Sequence, residues 1–174
     1  AAARHAIKFA EGSDDINEAS LRAQVEEEAG RVENLRGRKK GGEKISAIRR
    51  ELNNVMENAC GVYRQQDTMQ QGVIETAQLR GRVADLRLED ESKVFNTELV
   101  TALELTNMVE VAEVLAVSAA HRKESRGAHT CKDFTTRDDK NFLYHTMAHH
   151  DPAGPRLSKK DVVLGKWVPE ERKY

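Results

Sequence analysis

Aromatic residues are scarce in this sequence, and neither sign of charge is in excess. Aromatics make up 5% and hydrophobic residues 39% of the 174 positions, a composition poor in the bulky residues that fill β-sandwiches and barrels. The 28 lysines and arginines balance 29 acidic residues, so the formal net charge is -1. Such a charge gives no field that would attract nucleic acid or an anionic bilayer. The composition therefore favours an all-α protein with no nucleic-acid partner.

Cysteine and long uncharged stretches are also nearly absent. Cys60 and Cys131 lie far apart and outside any CxxC motif, which is typical of free thiols in a reducing compartment. No run of residues is apolar enough to predict a transmembrane helix, and Ala1–Ala10 lacks the features of a signal peptide. Because position 1 is not methionine and already continues an alanine-rich helical pattern, we expect a fragment of a longer protein.

The sequence predicts three main helices. All three prolines lie after residue 150, so the strongest helix breaker is missing from everything that precedes them. Apolar residues recur at spacings of three and four residues in Ile45–Val62 and Met69–Leu86, and Thr97–Lys123 is dominated by Leu, Val, Ala and Met. Segments of this kind, joined by short connections, pack most simply as an up-down-up bundle around a common apolar seam.

The third predicted helix has two informative features. Asn96 is a suitable N-cap, and Phe95 and Val100 stand at the two positions of a hydrophobic staple. Its apolar interior includes four glutamates, which a helix facing lipid would not tolerate: Glu98, Glu104, Glu110 and Glu113. A di-metal carboxylate cage needs ExxH motifs on facing helices, and the sequence has none. We interpret the segment as a buried helix of a bundle.

The segments that flank the bundle are less regular. Glu18–Leu35 predicts a weak amphipathic helix, and the glycines and basic residues that follow it predict a linker. Near the C-terminus, Asn141–His150 is predicted as a short helix and Asp161–Val168 as a strand, in an extension that wraps the bundle. The predicted organisation has three parts: residues 1–42 end a preceding domain and add a weak helix and linker, 43–125 form the bundle, and 126–174 form the extension.

Three small groups of residues could carry chemistry, but each has a simpler interpretation. His145 and His149 are spaced i, i+4 and could share a zinc ion, yet no glutamate follows His145 as HExxH requires. Cys131 and His129 could be a nucleophile and its base, but nearness in sequence is not the spatial pairing that catalysis needs. Residues 36–42 lack the spacing of a phosphate-binding loop. We expect no metal, nucleophile or phosphate site in these groups.

A dense stretch of opposite charges follows the third predicted helix. Its charged and titratable residues are Arg122, Lys123, Glu124, Arg126, His129, Asp133, Arg137, Asp138 and Asp139. Arginine forks paired with carboxylates commonly lock a chain reversal or dock another domain. From the residues alone we favour a structural ion-pair cluster, and a docking or functional surface is the alternative.

Six short motifs resemble a single enzyme family. The motifs are, in chain order, ENACGVYR at 57–64, VFNTEL at 94–99, HRKESRGAH at 121–129, RDD at 137–139, NFLYHT at 141–146 and PEERKY at 169–174. Together they are similar to the C-terminal part of succinate dehydrogenase and fumarate reductase flavoprotein subunits. The resemblance is strong from Ile45 to Tyr174 and looser over 1–42, where Ala1–Ala10 looks like the helix that closes the FAD-binding domain. Cys131, Lys132 and the His149-His150 pair depart from the family pattern.

The resemblance implies a spectrin-repeat-like three-helix bundle with an irregular C-terminal extension. It also implies an enzyme that moves a hydride between succinate or fumarate and covalently held FAD, and passes electrons through an iron–sulfur subunit to a quinone. The catalytic and FAD-binding residues of such subunits would precede this chain, so the fragment alone is expected to be inactive and without cofactor. What the resemblance assigns to this chain is interdomain packing, with five candidate residues: Glu124, Arg126, His129, Arg137 and Asp138.

Further expectations follow from the same resemblance. The partners would be the FAD and capping domains of the same subunit, the iron–sulfur subunit and, indirectly, membrane-anchor subunits, at the cytoplasmic face of the bacterial inner membrane. Separated from its own FAD domain, the fragment would expose former interface and self-associate. Two alternatives stay open: the helical domain of an L-aspartate oxidase, and a free-standing spectrin-like interaction module.

Overall fold

The computed structural model describes residues 2–12, 17–37, 41–166 and 170. The chain divides into two compact units, Ala1–Gly37 and Arg38–Tyr174. The first unit contains helices α1, Ala2–Glu11, and α2, Glu18–Gly37. Asn17 caps α2, because its side-chain oxygen accepts hydrogen bonds from the backbone N–H groups of Ala19 and Ser20, at 3.0 and 3.3 Å.

The second unit alternates helices with short strands. Its elements are β1 (Glu43–Lys44), α3 (Ile45–Cys60), β2 (Tyr63–Arg64), α4 (Gln66–Val83), β3 (Leu86–Arg87), α5 (Thr97–His121), β4 (Thr130–Cys131), α6 (Asp139–Phe142), β5 (Tyr144–His149) and β6 (Arg156–Asp161). Helices α3, α4 and α5 each pack against the other two. This arrangement confirms the predicted all-α class and three-helix bundle. None of the helices in the described ranges is long and apolar enough to cross a membrane.

The bundle core is built from one apolar stripe on each helix. Ile48 and Leu52 on α3, Leu79 on α4 and Leu105 on α5 are at most 2% exposed. Their spacing in sequence is that of an amphipathic helix, so burying these stripes together is what holds the bundle together. Helices α3 and α4 are in close contact at Gly72, which is buried: a Cβ built there would lie 2.3 Å from the Cβ of Ala59.

Two pairs of very short parallel strands tie the connections of the bundle together. Strand β1 pairs with β3, and β2 pairs with β4 through Tyr63 opposite Thr130 and Arg64 opposite Cys131. Beside the second pair, the carboxylate of Asp133 accepts a hydrogen bond from the backbone N–H of Gln66 at 2.6 Å. The extension therefore supplies the cap at the start of α4 from a distant part of the chain.

The start of α5 only partly follows the sequence prediction. Asn96 is the predicted N-cap, because its side-chain oxygen accepts from the backbone N–H of Leu99 at 2.7 Å. The predicted hydrophobic staple is wrong: Phe95 is 95% exposed and Val100 is 54% exposed. Phe95 adopts a φ of 57°, in the left-handed region that residues other than glycine rarely occupy.

The predicted positions of the last two elements are wrong. Residues 144–149 form strand β5 instead of a helix, and only the single turn of α6 is helical there. β6 ends at Asp161, where the predicted strand begins, and residues 167 and 168 lie outside the described ranges. The two strands make an antiparallel hairpin in which Tyr144 opposes Asp161 and His149 opposes Arg156. A hairpin needs a partner strand, and period counting within one segment cannot reveal it.

Candidate functional site

A buried carboxylate stands at the centre of the charged stretch after α5. Glu124 is 0% exposed. One of its oxygens accepts hydrogen bonds from the guanidinium groups of Arg122 and Arg126, the latter at 2.9 Å. The other accepts from Arg126 at 3.0 Å and from the backbone N–H of Asp138 at 2.9 Å. Arg126 therefore donates hydrogen bonds to both oxygens of Glu124, in the bidentate geometry that only arginine provides.

Asp139 extends this network to a third arginine. Its two oxygens accept from Arg126 and Arg137, each at 2.7 Å. Asp138 acts locally, because its carboxylate caps α6 by accepting from the backbone N–H of Asn141 at 3.0 Å. We refer to the network as the ion-pair cluster; it consists of Arg122, Glu124, Arg126, Arg137 and Asp139.

The cluster keeps its central carboxylate charged. Burial raises the pKa of Glu124, but hydrogen bonds from Arg126 and from the backbone of Asp138, together with nearby positive charge, outweigh burial and lower the pKa below its ordinary value. The same pairing raises the pKa of Arg126. The Glu124 carboxylate and the Arg126 guanidinium are therefore both ionised at neutral pH, and each compensates the charge of the other.

His129 joins the cluster to the connection between α3 and α4. Its Nδ1 lies 2.8 Å from a guanidinium nitrogen of Arg64, and its Nε2 lies 3.2 Å from the backbone oxygen of Arg122. Arginine can only donate, so Nδ1 accepts and Nε2 carries the proton. Burial lowers the pKa of His129, which favours this neutral form.

Arg122 attaches the hairpin to the end of α5. Besides Glu124, it donates to the backbone oxygens of Tyr144 and Phe142 and to the hydroxyl of Thr146. Its guanidinium carbon lies 5.1 Å from the centre of the Tyr144 ring, close enough for a cation–π contact. The hydroxyl of Tyr144 also lies 2.9 Å from Nε2 of His121.

The structure brings the five predicted packing residues into one region. Glu124, Arg126 and the backbone of Asp138 are in direct contact, whereas Arg137 joins through Asp139 and His129 through the backbone of Arg122. Sequence reasoning did not select Arg122, Asp139 or Arg64 as candidates. The first two stand next to selected residues in a dense run of charge, which was a usable signal. The contact between Arg64 and His129 has no signal in the sequence, because the two residues are 65 positions apart.

The structure places the two histidines and Cys131 differently from the sites that their sequence positions suggested. His145 and His149 lie on a strand, where four positions span about 13 Å, so the helical spacing behind the zinc hypothesis is wrong. Among the described residues, no cluster of three or more His, Cys, Asp or Glu side chains could hold a metal ion.

Cys131 is an enclosed thiol. It is fully buried in a small apolar group with Met69 and Ala119, while both ring nitrogens of His129 face Arg64 and Arg122. The predicted basic linker falls partly on residues 38–40, which lie outside the described ranges.

Comparison with known proteins gives a consistent result. Residues 49–174 match the family described as fumarate reductase flavoprotein C-term. The chain is 40% identical over 174 residues to the fumarate reductase flavoprotein subunit of Haemophilus influenzae. It is 38% identical over 141 residues to the succinate dehydrogenase flavoprotein subunit of Coxiella burnetii, which covers 81% of this chain and 22% of that protein.

Solved structures agree with the sequence comparison. A quinol fumarate reductase chain of E. coli superposes with a TM-score of 0.87 at 39% identity, over 96% of this chain and 29% of that one. The Haemophilus relative is matched over 99% of this chain but only 29% of its own length. The chain thus spans between 22% and 29% of the length of these relatives.

Proposed function

The chain belongs to the fumarate reductase and succinate dehydrogenase flavoprotein family, and we propose that it serves as the C-terminal helical domain of a subunit that interconverts succinate and fumarate with FAD. The observation that carries the proposal is the family match over residues 49–174, together with 40% identity to a fumarate reductase subunit along nearly the whole chain. The names of the relatives favour this function over an L-aspartate oxidase, and the family match argues against a free-standing interaction module.

The residues of this chain do not fit FAD. A dinucleotide needs a glycine-rich turn between a strand and a helix, and the sequence contains no GxGxxG motif. The helices of the bundle pack on one another around an apolar core, and four cavities lined by described residues have volumes of about 320–450 Å³. In this proposal the flavin and the reacting groups belong to other parts of the subunit, and no catalytic step is assigned to the chain.

The role proposed for this chain is packing against the FAD and capping domains of the same subunit. The five candidate residues are Glu124, Arg126, His129, Arg137 and Asp138. The support is their geometry: Glu124 is enclosed and fixed, while Arg126 and Arg137 keep about a quarter of their side-chain surface exposed. A rigid frame with accessible guanidinium groups suits recognition of carboxylates or backbone oxygens on a neighbouring domain.

Two further levels of assembly follow from the family. The subunit would pass electrons through an iron–sulfur subunit to a quinone and would be held indirectly by membrane-anchor subunits at the cytoplasmic face of the bacterial inner membrane. The support is that similar chains occur in quinol-fumarate reductase structures, one of them with menaquinol. Self-association of the isolated chain stays a prediction.

The purified chain is expected to be colourless and to turn over neither succinate nor fumarate, because the flavin-binding glycines and the reacting groups are not among its residues. The measurement is an absorption spectrum after release of any bound flavin, followed by a dye-coupled assay of both reaction directions. The full-length Haemophilus subunit is the matched positive control. Stoichiometric flavin on the 174-residue chain would contradict the proposal that its function is structural.

A further inference from the structure

A second buried carboxylate, that of Glu113, lies on α5 and is poorly compensated. Glu113 is only 4% exposed. Its Oε2 lies 2.9 Å from Nε of Arg80 on α4, but the N–H of that nitrogen is not directed at any acceptor, so the contact is an ion pair without a hydrogen bond. Within the described part of the chain, Oε1 accepts no hydrogen bond. A buried polar atom normally has at least one hydrogen-bond partner.

Arg80 cannot turn to satisfy Glu113 fully, because its other nitrogens are engaged. Nη1 donates to the backbone oxygen of Pro152 at 3.0 Å, and Nη2 donates to that of Ala153 at 3.3 Å. The arginine thus holds the turn of the β5–β6 hairpin. Burial raises the pKa of Glu113. The positive charge of Arg80 offsets this increase only in part, and the negative charge of Glu110 on the same helix raises the pKa further.

A cavity of about 320 Å³ opens beside this carboxylate, between α5 and the hairpin turn. Its polar walls include Glu110, Glu113 and Asp151, and its apolar walls include Val111 and Val114. The three carboxylates and one guanidinium that line the cavity sum to a formal charge of about -2. An occupant that is cationic at one end and aliphatic along its stem would complement both kinds of wall.

Gly154 keeps the space in front of the free oxygen open. Its φ is 129°, a conformation that side chains rarely adopt, and a Cβ at this position would lie 3.5 Å from Oε1 of Glu113 and 3.7 Å from Nη2 of Arg80. Any larger residue would place atoms against the oxygen that lacks a donor. The turn therefore leaves the carboxylate accessible from the cavity.

We propose that this cavity binds an aliphatic ammonium or guanidinium group, which donates hydrogen bonds to Oε1 of Glu113 while its methylene groups lie along Val111 and Val114. A metal ion fits less well, because no three His, Cys, Asp or Glu side chains of the described residues are arranged to hold one. The same chemistry is offered by a free alkylamine and by a lysine or arginine side chain of another protein segment. This inference does not depend on the proposed enzymatic context.

The test is an NMR titration of the ¹⁵N-labelled 174-residue chain with n-butylammonium and n-butylguanidinium, and with n-butanol as the uncharged control. Saturable shifts are expected at the amides of α5 and the hairpin turn with both cations and not with the alcohol. Glu113→Gln preserves shape but removes the charge, and it should weaken binding about tenfold or more. Glu104→Gln, at an exposed site of the same helix, should leave binding unchanged.

A second variant tests the proposal if Glu113→Gln does not fold, and a peptide probe identifies the source of the ligand. If Glu113→Gln fails to fold, Glu110→Gln at the exposed rim should still weaken binding, by about threefold, without loss of structure. A capped tripeptide with central lysine, compared with its norleucine analogue, tests a protein side chain: tighter binding than n-butylammonium assigns that source, and no binding assigns a free amine. A cavity that holds water only gives no saturable shift with any probe, and this result would overturn the proposal.

Discussion

Replacement of Glu124 by alanine is expected to lower the free energy of unfolding by about 3–5 kcal/mol, because removing one partner of a buried ion pair leaves the other charges without compensation. Glu124 is fully enclosed and accepts hydrogen bonds from two arginines and a backbone N–H. Without it, Arg122 would lose its carboxylate partner, Arg126 would keep only Asp139, and the backbone N–H of Asp138 would lose its acceptor. Chemical denaturation followed by circular dichroism measures the change.

Two matched variants separate the lost charge from lost volume. Glu124→Gln keeps the shape and one oxygen acceptor, so its cost should be smaller than that of Glu124→Ala. Glu104→Ala, on an exposed part of α5, should change stability by less than about 0.5 kcal/mol. A Glu124→Ala variant as stable as the Glu104→Ala variant would show that the ion-pair cluster does not stabilise the fold.

The stabilisation by Glu124 also has a defined pH dependence. Its pKa is lower in the folded chain than the ordinary value of 4.5, so the folded state binds protons less readily than the unfolded state. The contribution is therefore fully present above the unfolded-state pKa and is lost as the pH falls through the folded-state pKa. The stability difference between the wild-type chain and Glu124→Gln should narrow as the pH falls below about 4.5.

Substitution of Gly72 by alanine is expected to destabilise the bundle by about 1–2 kcal/mol, although alanine is the better helix former. The added methyl group would stand 2.3 Å from the Cβ of Ala59, so α3 and α4 would have to separate. Gly81 on the same helix has nothing within 4 Å of its hypothetical Cβ. Gly81→Ala should therefore stabilise the chain by about 0.5–1 kcal/mol. Thermal unfolding of the two variants gives the comparison.

Gly72→Ala and Gly81→Ala are expected to change the free energy of unfolding in opposite directions, which makes their comparison informative. Helix propensity acts equally at both positions, so the difference between them reports the close approach of the two helices. The double variant Ala59→Gly with Gly72→Ala should recover part of the loss, because it moves the methyl group from one helix to the other. If Gly72→Ala and Gly81→Ala stabilised the chain equally, the contact between α3 and α4 would be looser than the structure describes.

The three main helices could be predicted because each carries its signal within its own residues. The buried positions Ile48 and Leu52 recur four residues apart, as a core-facing stripe must. The cap at Asn96 is equally local. The hairpin was missed because β5 is defined by pairing with β6, and neither strand has a strong pattern alone. The failed staple at Phe95 depends on a backbone angle that residue identity does not reveal.

The candidate site shows the same limit. The charge density around Glu124 predicted an ion-pair cluster, and the structure contains one. The contact between Arg64 and His129 could not be predicted, since the two residues are 65 positions apart. The sequence shows Glu113 only as one of four glutamates in an apolar helix. Its burial and its contact with Arg80 depend on how α4 and α5 pack, which is decided by tertiary structure.

The joint between β2 and β4 has a consequence for the order of folding. Gln66 and Asp133 are 67 positions apart, so their contact requires closure of a long loop that includes all of α4 and α5. The helical contacts of α3 with α4 close much shorter loops and can nucleate first. We expect the extension to join after the rate-limiting step, which φ-values near zero for substitutions at Asp133 would demonstrate. Interactions that form after the transition state mainly slow unfolding. The contacts of β4 and Asp133 with β2 and the start of α4 would therefore slow the unfolding of the assembled bundle.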